Sequence, residues 1–147
     1  MGYQIINVNI DSITQNKTIG VKFPFDVPGV FAKSYTTLEQ AKTNVRSLLL
    51  TRKGERYAQP NLGTSLLNLL FQPNISELKD VISSTITDAI SYWLPYIDIT
   101  DLSIITLEDD STLIHDIKIT IQFTVSGIVS NETITIFAGE NGVLLVE

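Results

Sequence analysis

Apolar residues recur with two different periods along this chain, and the change between them divides it into parts. From Leu38 to Leu49, leucine, alanine and valine recur at spacings of three and four, which is the pattern of an amphipathic helix. Thr36 and Glu39 match a capping box at its start. The sequence therefore predicts a helix over about residues 37 to 51.

Two more helices follow, and prolines end both. Thr64 is placed to cap a short leucine-rich helix that Pro73 stops. Either Asn74 or Ser76 begins a third helix, which continues until Pro95. Its apolar positions at helical spacing are Leu78, Val81, Ile82, Ile86, Ala89, Ile90 and Trp93.

From Ile97 the period falls to two, which is typical of strands with one buried face. The predicted strands are 99–107, 113–125 and 132–138, with turns at 108–111 and 126–131. In the middle strand one face carries Leu113, Ile117, Ile119, Ile121, Phe123 and Val125, and polar residues occupy the other. Asn141 and Gly142 predict a turn into a last short strand over 143–146.

Helices followed by strands predict an α+β domain, with three helices packed on one face of an antiparallel β-meander of three to four strands. Residues 1–35 lack a sustained period, because glycines and prolines break them into short extended pieces. We expect an extended N-terminal arm over 1–35, ordered by neighbours, and a single domain over 36–147.

Composition and charge exclude several function classes. The chain has no cysteine, which excludes disulfides and cysteine-ligated metals. Neither a signal peptide nor an apolar stretch of about 20 residues is visible, so we expect a soluble chain without membrane contact. The net charge of -6 disfavours nucleic-acid binding.

The charge is also unevenly distributed. Residues 1–56 carry eight lysines and arginines against four acids, whereas residues 57–147 carry two against twelve. This asymmetry either orients docking onto partners or reflects a solvated acidic sheet face.

Candidate catalytic residues are few. His115, the single histidine, alternates with the apolar set of a strand, which favours a core-edge position over catalysis. Asp98 with Asp101, and the cluster 108–110, lie in or beside turns, where water would keep them ionised. The loop from Thr51 to Thr64 contains two glycines, but their spacing matches no nucleotide-binding motif. We expect no enzyme activity, cofactor or metal.

Three segments carry a family resemblance: IGVKFPF (19–25), SLLLTRKGER (47–56) and QPNLGTSLLNLLFQP (59–73). With their T-R-x-G-E-R, P-x-x-G and L-F-x-P signatures in order, the chain resembles the small baseplate wedge and sheath-initiator family of contractile phage tails, long labelled tail lysozyme. The resemblance covers about residues 17 to 138.

The resemblance implies a non-enzymatic structural protein of the virion tail baseplate, assembled in the host cytoplasm. The implied partners are the tail sheath protein, other baseplate wedge proteins and proteins near the hub and tail tube, with several copies in a symmetric ring. The alternatives are a muramidase, which would need a dry acid among Glu55, Glu77 and Asp98, and the equivalent protein of a bacterial injection or secretion system.

The resemblance also places the candidate partner-binding residues. An edge strand of the sheet would accept a sheath strand, and the candidate is 132–138, with 144–146 as competitor and coverage by the chain's own arm as the alternative. Its residues are Glu132, Thr133, Ile134, Thr135, Ile136 and Phe137.

Two further groups of residues complete the candidate sites. Arg52, Glu55 and Arg56 either fix the helix crossing through salt bridges or grip a wedge neighbour. The path of this loop would be set by Gly54, Pro60 and Gly63. Family members often carry a Glu-Pro-Arg triplet after the third helix, where this chain has Leu94, Pro95 and Tyr96. We expect an aromatic or apolar partner contact by Tyr96 in place of the ion pair.

Overall fold

The computed structural model describes residues 17–22, 32–70, 76–105, 117–139 and 142–146. These residues form three helices and six strands. The helices are α1 (Thr37–Leu50), α2 (Leu66–Leu70) and α3 (Ser76–Trp93). The strands are β1 (Gly20–Val21), β2 (Lys33–Ser34), β3 (Ile97–Ile105), β4 (Ile117–Val125), β5 (Ile128–Gly139) and β6 (Gly142–Val146).

Strands β3 to β6 form one antiparallel sheet in sequence order. Along β4, buried and partly exposed residues alternate without exception, as the period of two predicts. The α+β prediction, with three helices and a four-stranded meander, is confirmed for the described residues. The turn between β4 and β5 is shorter than the expected 126–131, because Gly127 has a φ of 84° and lets the chain reverse at once.

A single apolar core lies between the helices and one face of the sheet. Burying a large apolar side chain contributes about 1.5–3 kcal/mol, so this layer is the main source of stability. Its fully buried members include Val45 and Leu49 from α1, Ile82, Ile86 and Ile90 from α3, and Ile119, Ile121, Phe123, Ile134 and Ile136 from the sheet.

Helix α1 begins at a modified capping box. The hydroxyl of Thr36 accepts a hydrogen bond from the Glu39 N–H at 3.2 Å, while the Glu39 carboxylate accepts from the Tyr35 N–H at 3.2 Å and pairs with Lys22. Burial raises the pKa of Glu39, but the hydrogen bond from Lys22, the backbone N–H donors and the lysine charge outweigh it and hold that pKa below its ordinary value.

The described part of the N-terminal arm packs on α1. Strands β1 and β2 pair into a two-stranded antiparallel ribbon, and the buried Ser34 donates a hydrogen bond to Gln40 of α1. Gly20 lies so close to Gln40 that any Cβ would overlap its amide. Residues 17–22 and 32–35 therefore contact α1 of the same chain, and the need for a neighbouring protein to order the arm stays a prediction.

No described helix is both long and apolar enough to cross a membrane. Two of the sequence candidates, His115 and the acidic cluster 108–110, lie outside the described residues.

Candidate assembly surfaces

The loop between α1 and α2 is closed by backbone hydrogen bonds. The Thr64 N–H donates to the Thr51 carbonyl at 2.9 Å, and the Lys53 N–H donates to the Thr64 carbonyl at 3.3 Å. Arg52 and Thr64 form a short parallel bridge between these bonds. The two ends of the loop are thus joined directly, and the start of α2 is fixed beside the end of α1.

Two glycines and a proline lie at the close contacts of this loop. Gly54 has a φ of 89°, and its N–H donates to the Pro60 carbonyl at 2.7 Å. Gly63 has a φ of 109° and lies against the carbonyl of Thr51, where a Cβ would overlap that oxygen. Only glycine adopts such backbone readily and leaves room for the carbonyl.

The charged residues of the loop do not form the expected salt bridges. The Glu55 carboxylate accepts a hydrogen bond from the Arg52 N–H at 3.0 Å, which closes a tight local turn. Arg52, Lys53 and Arg56 are exposed, and no salt bridge joins them to another described residue. Backbone hydrogen bonds hold the described loop, and a role of Arg52, Glu55 and Arg56 in the helix crossing or in a wedge contact stays a prediction.

A groove that sequence reasoning missed runs between this loop and the C-terminal half of α3. It has a volume of about 530 Å³, with Lys53 and Asn61 from the loop and Asp88 and Trp93 from the helix among its lining residues. Tyr92 also lines it and is 76% exposed. The one sequence signal is that Tyr92, a large aromatic residue, lies off the apolar stripe of its helix.

Tyr96 is half-buried and forms hydrogen bonds within the chain, whereas Pro95 is exposed. The Tyr96 hydroxyl accepts a hydrogen bond from the Asn44 amide of α1 at 2.7 Å, and its carbonyl accepts from the Ser126 N–H at 2.9 Å. The residue therefore links α1, the end of α3 and the β4–β5 turn. A partner contact by Pro95 and Tyr96 stays a prediction.

The candidate docking strand is mostly internal. From Thr135 to Gly139, β5 pairs with β4 on one side and with β6 on the other. Ile134 and Ile136 are fully buried in the core, and Glu132 forms a 3.0 Å ion pair with Lys42 of α1. The prediction of a free edge along 132–138 is thus wrong where β6 covers it. The competitor segment, 144–146, lies on the edge strand β6.

Thr133, Thr135 and Phe137 alternate with the buried isoleucines, so they lie on the sheet face away from the helices. The Lys118 ammonium lies 5.5 Å from the centre of the Phe137 ring, a cation–π distance. Thr133 is exposed, and Thr135 is half-buried between its neighbours.

The two edges of the sheet differ in their suitability for strand addition. β3 has an irregular register between Ile99 and Asp101, and both Asp98 and Asp101 are exposed. Bulges and charged side chains on an edge hinder pairing with another chain. The five residues of β6, GVLLV, carry no charge.

The acids that a muramidase would require do not lie in dry surroundings. Glu55, Glu77 and Asp98 are all exposed to solvent. Within the described ranges, no cluster of three or more histidine, aspartate or glutamate residues could hold a metal ion.

Comparisons with known proteins agree with this architecture. The family described as Baseplate wedge protein gp25 matches residues 37–132. A relative, Baseplate wedge protein gp25 of Enterobacteria phage T4, is 30% identical over 84 residues, which is 57% of this chain. The aligned region spans only 64% of that relative's length.

A solved structure is also similar. It is a Geobacter sulfurreducens protein with the provisional name of tail lysozyme, which superposes with a TM-score of 0.59 over 76% of this chain and 93% of its own. At 16% identity this likeness shows the fold alone.

Proposed function

Because this chain belongs to the Baseplate wedge protein gp25 family, we propose that it is a structural component of a contractile tail baseplate that joins wedge proteins and starts sheath polymerisation. Its location is the tail baseplate of the virion, after assembly in the host cytoplasm. The observation that carries the sheath role is the uncharged edge strand β6 of the antiparallel sheet.

Strand addition at β6 is the proposed contact with the sheath. An edge strand presents backbone N–H and C=O groups that can pair with a strand from another chain. On an edge strand, every second residue directs its backbone N–H and C=O away from the sheet. The five residues of β6 therefore offer about five hydrogen bonds, each with a net contribution of about 0.5–1.5 kcal/mol. One such contact is weak, and a symmetric ring of copies would strengthen it by multivalency.

The wedge contacts are assigned to other surfaces. Arg52 and Arg56 form no salt bridge with another described residue, so their side chains are available to a wedge neighbour. Pro95, which is exposed, lies at the opposite end of α3 from Ser76 and extends the set of candidate contacts. Proteins near the hub and tube complete the proposed partners.

A nucleation assay tests the choice of edge. Purified sheath protein is mixed with this chain carrying either Leu144→Lys on β6 or Ser103→Lys on β3, and the lag before sheath growth is followed by light scattering. Leu144 pairs with Phe137 and Ser103 with Thr120, so both substitutions add one charge to a strand at the edge of the sheet. We expect Leu144→Lys to lengthen the lag and Ser103→Lys to leave it unchanged. Equal lags for the wild type and both variants would overturn the assignment of β6.

The same physics would serve an injection or secretion system, and genomic context distinguishes the two settings. A muramidase is not favoured by the solvent-exposed acids described above. Clearing of a peptidoglycan zymogram by the purified chain would contradict the non-enzymatic proposal.

A further inference from the structure

The groove beside the α1–α2 loop combines features of a peptide-binding site. One wall is aromatic and apolar, from Trp93, Tyr92 and Ala89 of α3. Its volume of about 530 Å³ lies within the usual range of ligand sites, about 300–1,000 Å³. The other wall is the loop, whose path is fixed by the hydrogen bonds of Thr64 and Gly54. The site is therefore already formed before any partner arrives.

Hydrogen-bonding side chains line the space between these walls. Asn61 is exposed and offers both amide donors and an acceptor oxygen, and Ser65 offers a hydroxyl. The Thr85 hydroxyl donates to the Val81 carbonyl at 2.7 Å, which leaves its oxygen as an acceptor facing the groove. Groups of this kind suit the main-chain N–H and C=O of an extended segment.

The loop side of the groove is positive on a chain that is acidic overall. Lys53 lines the groove, and Arg52 and Arg56 stand on the same loop, all without a salt bridge to a described residue. The acid on the same loop is Glu55, whose carboxylate already accepts the Arg52 N–H, and the acid in the groove lining is Asp88 on the opposite wall. This arrangement attracts a carboxylate to the loop side and repels it from the helix side.

We propose that this groove binds an acidic segment of a partner protein, with a carboxylate on Lys53 and an apolar side chain against Trp93. The proposal goes beyond the role of the sheet edge and does not depend on it. A nucleic acid is a poorer fit, because the net charge of -6 repels an extended polyanion. A short acidic segment interacts mainly with charges within a Debye length of about 10 Å, and Lys53 is the cation that lines the groove.

The chain contains its own reporter of occupancy. Trp93 is the single tryptophan and lines the groove, so its fluorescence responds to occupancy of the groove. The full chain is titrated with a short synthetic peptide of glutamate, leucine and serine, and separately with the same peptide carrying lysine for glutamate. A single-stranded oligothymidine and simple dilution of the protein test a nucleic acid and a second copy as the occupant.

Three variants locate the contact. Lys53→Glu reverses the charge in the groove, and Lys33→Glu makes the same change on the β1–β2 ribbon as the matched control. Asp88→Asn removes the opposing carboxylate at nearly constant shape, and its effect is a gain of affinity that misfolding cannot imitate.

We expect the acidic peptide to change the Trp93 fluorescence saturably, with affinity about tenfold weaker in Lys53→Glu, unchanged in Lys33→Glu and about twofold to threefold tighter in Asp88→Asn. The lysine peptide should bind at least tenfold more weakly than the glutamate peptide. The proposal is overturned by no binding up to about 1 mM peptide, by equal affinity of Lys53→Glu and wild type, or by tighter binding of the lysine peptide or oligothymidine. A fluorescence change on dilution alone would also overturn it in favour of self-association.

Discussion

Replacing Gly63 by alanine isolates the contribution of one close backbone approach to the loop that joins α1 and α2. Gly63 has a φ of 109°, and an added Cβ would overlap the carbonyl oxygen of Thr51. That oxygen accepts the Thr64 N–H at 2.9 Å, so the overlap falls on the bond that closes the loop. The alanine variant must either move Thr51 or lose this hydrogen bond.

Gly54 provides the matched control. It has a φ of 89°, but no atom outside its chain neighbours lies within 4 Å of an added Cβ. Gly54→Ala therefore carries the backbone strain of positive φ, about 1–2 kcal/mol, without the overlap. The lower entropy of the unfolded alanine chain offsets about 0.4–1 kcal/mol of this strain in either variant. We expect Gly54→Ala to lower the free energy of unfolding by about 1 kcal/mol.

Gly63→Ala carries the same strain and adds the disruption at Thr51. Losing one or two loop hydrogen bonds costs about 0.5–1.5 kcal/mol each, so the total loss is about 3 kcal/mol. Urea unfolding followed by Trp93 fluorescence and by circular dichroism measures both variants against the wild type. If Gly63→Ala lost no more stability than Gly54→Ala, the close approach to Thr51 would carry no energetic weight and the reasoning would fail.

Three further predictions follow from the charged residues. The free energy of unfolding of Arg56→Glu, measured by urea denaturation, should lie within about 0.5 kcal/mol of the wild-type value, because Arg56 is exposed and has no salt bridge to a described residue. A larger loss of stability would indicate that this side chain makes contacts within the chain. Lys42→Glu should lower the free energy of unfolding by about 1 kcal/mol, since Lys42 and Glu132 form an ion pair of 3.0 Å between α1 and β5. Adding Glu132→Lys should recover most of this loss, and a double-mutant cycle without coupling would refute the prediction. The pKa of Glu39 is lowered in the folded state, so its stabilisation is present above the ordinary glutamate pKa of about 4.3 and declines as the pH falls through the folded value. Glu39→Gln should therefore flatten the loss of stability between neutral and acid pH, and parallel profiles for variant and wild type would contradict this.

The sequence predicted those elements whose signals are local. The cap of α1 at Thr36 and the alternation along β4 depend on neighbours a few residues away, and both were correct. The positive φ of Gly54 and Gly63 is likewise a local property, since both residues are glycines in one short loop. In each case the side chain or the missing Cβ acts within its own segment.

The failed edge prediction and the missed groove depend on which segments meet in the folded chain. The turn predicted at 141–142 leads into β6, but the sequence did not show that β6 pairs with Thr135–Gly139 and covers the proposed edge. The role of Arg52 and Arg56 depends on side-chain directions and stays a prediction, and Glu55 accepts a backbone N–H. The groove was missed because two segments distant along the chain, around Lys53 and Trp93, meet only in the folded chain.

The irregular register between Ile99 and Asp101 makes the β3 edge of the sheet different from the β6 edge. If β6 receives a sheath strand as proposed, the irregular edge at β3 hinders strand addition on the opposite side of the sheet. Growth of the sheath would then start from one edge of this protein only. Each copy would then pair with one sheath strand. Copies of this protein would not polymerise with one another through their sheet edges, so self-association would not compete with sheath assembly.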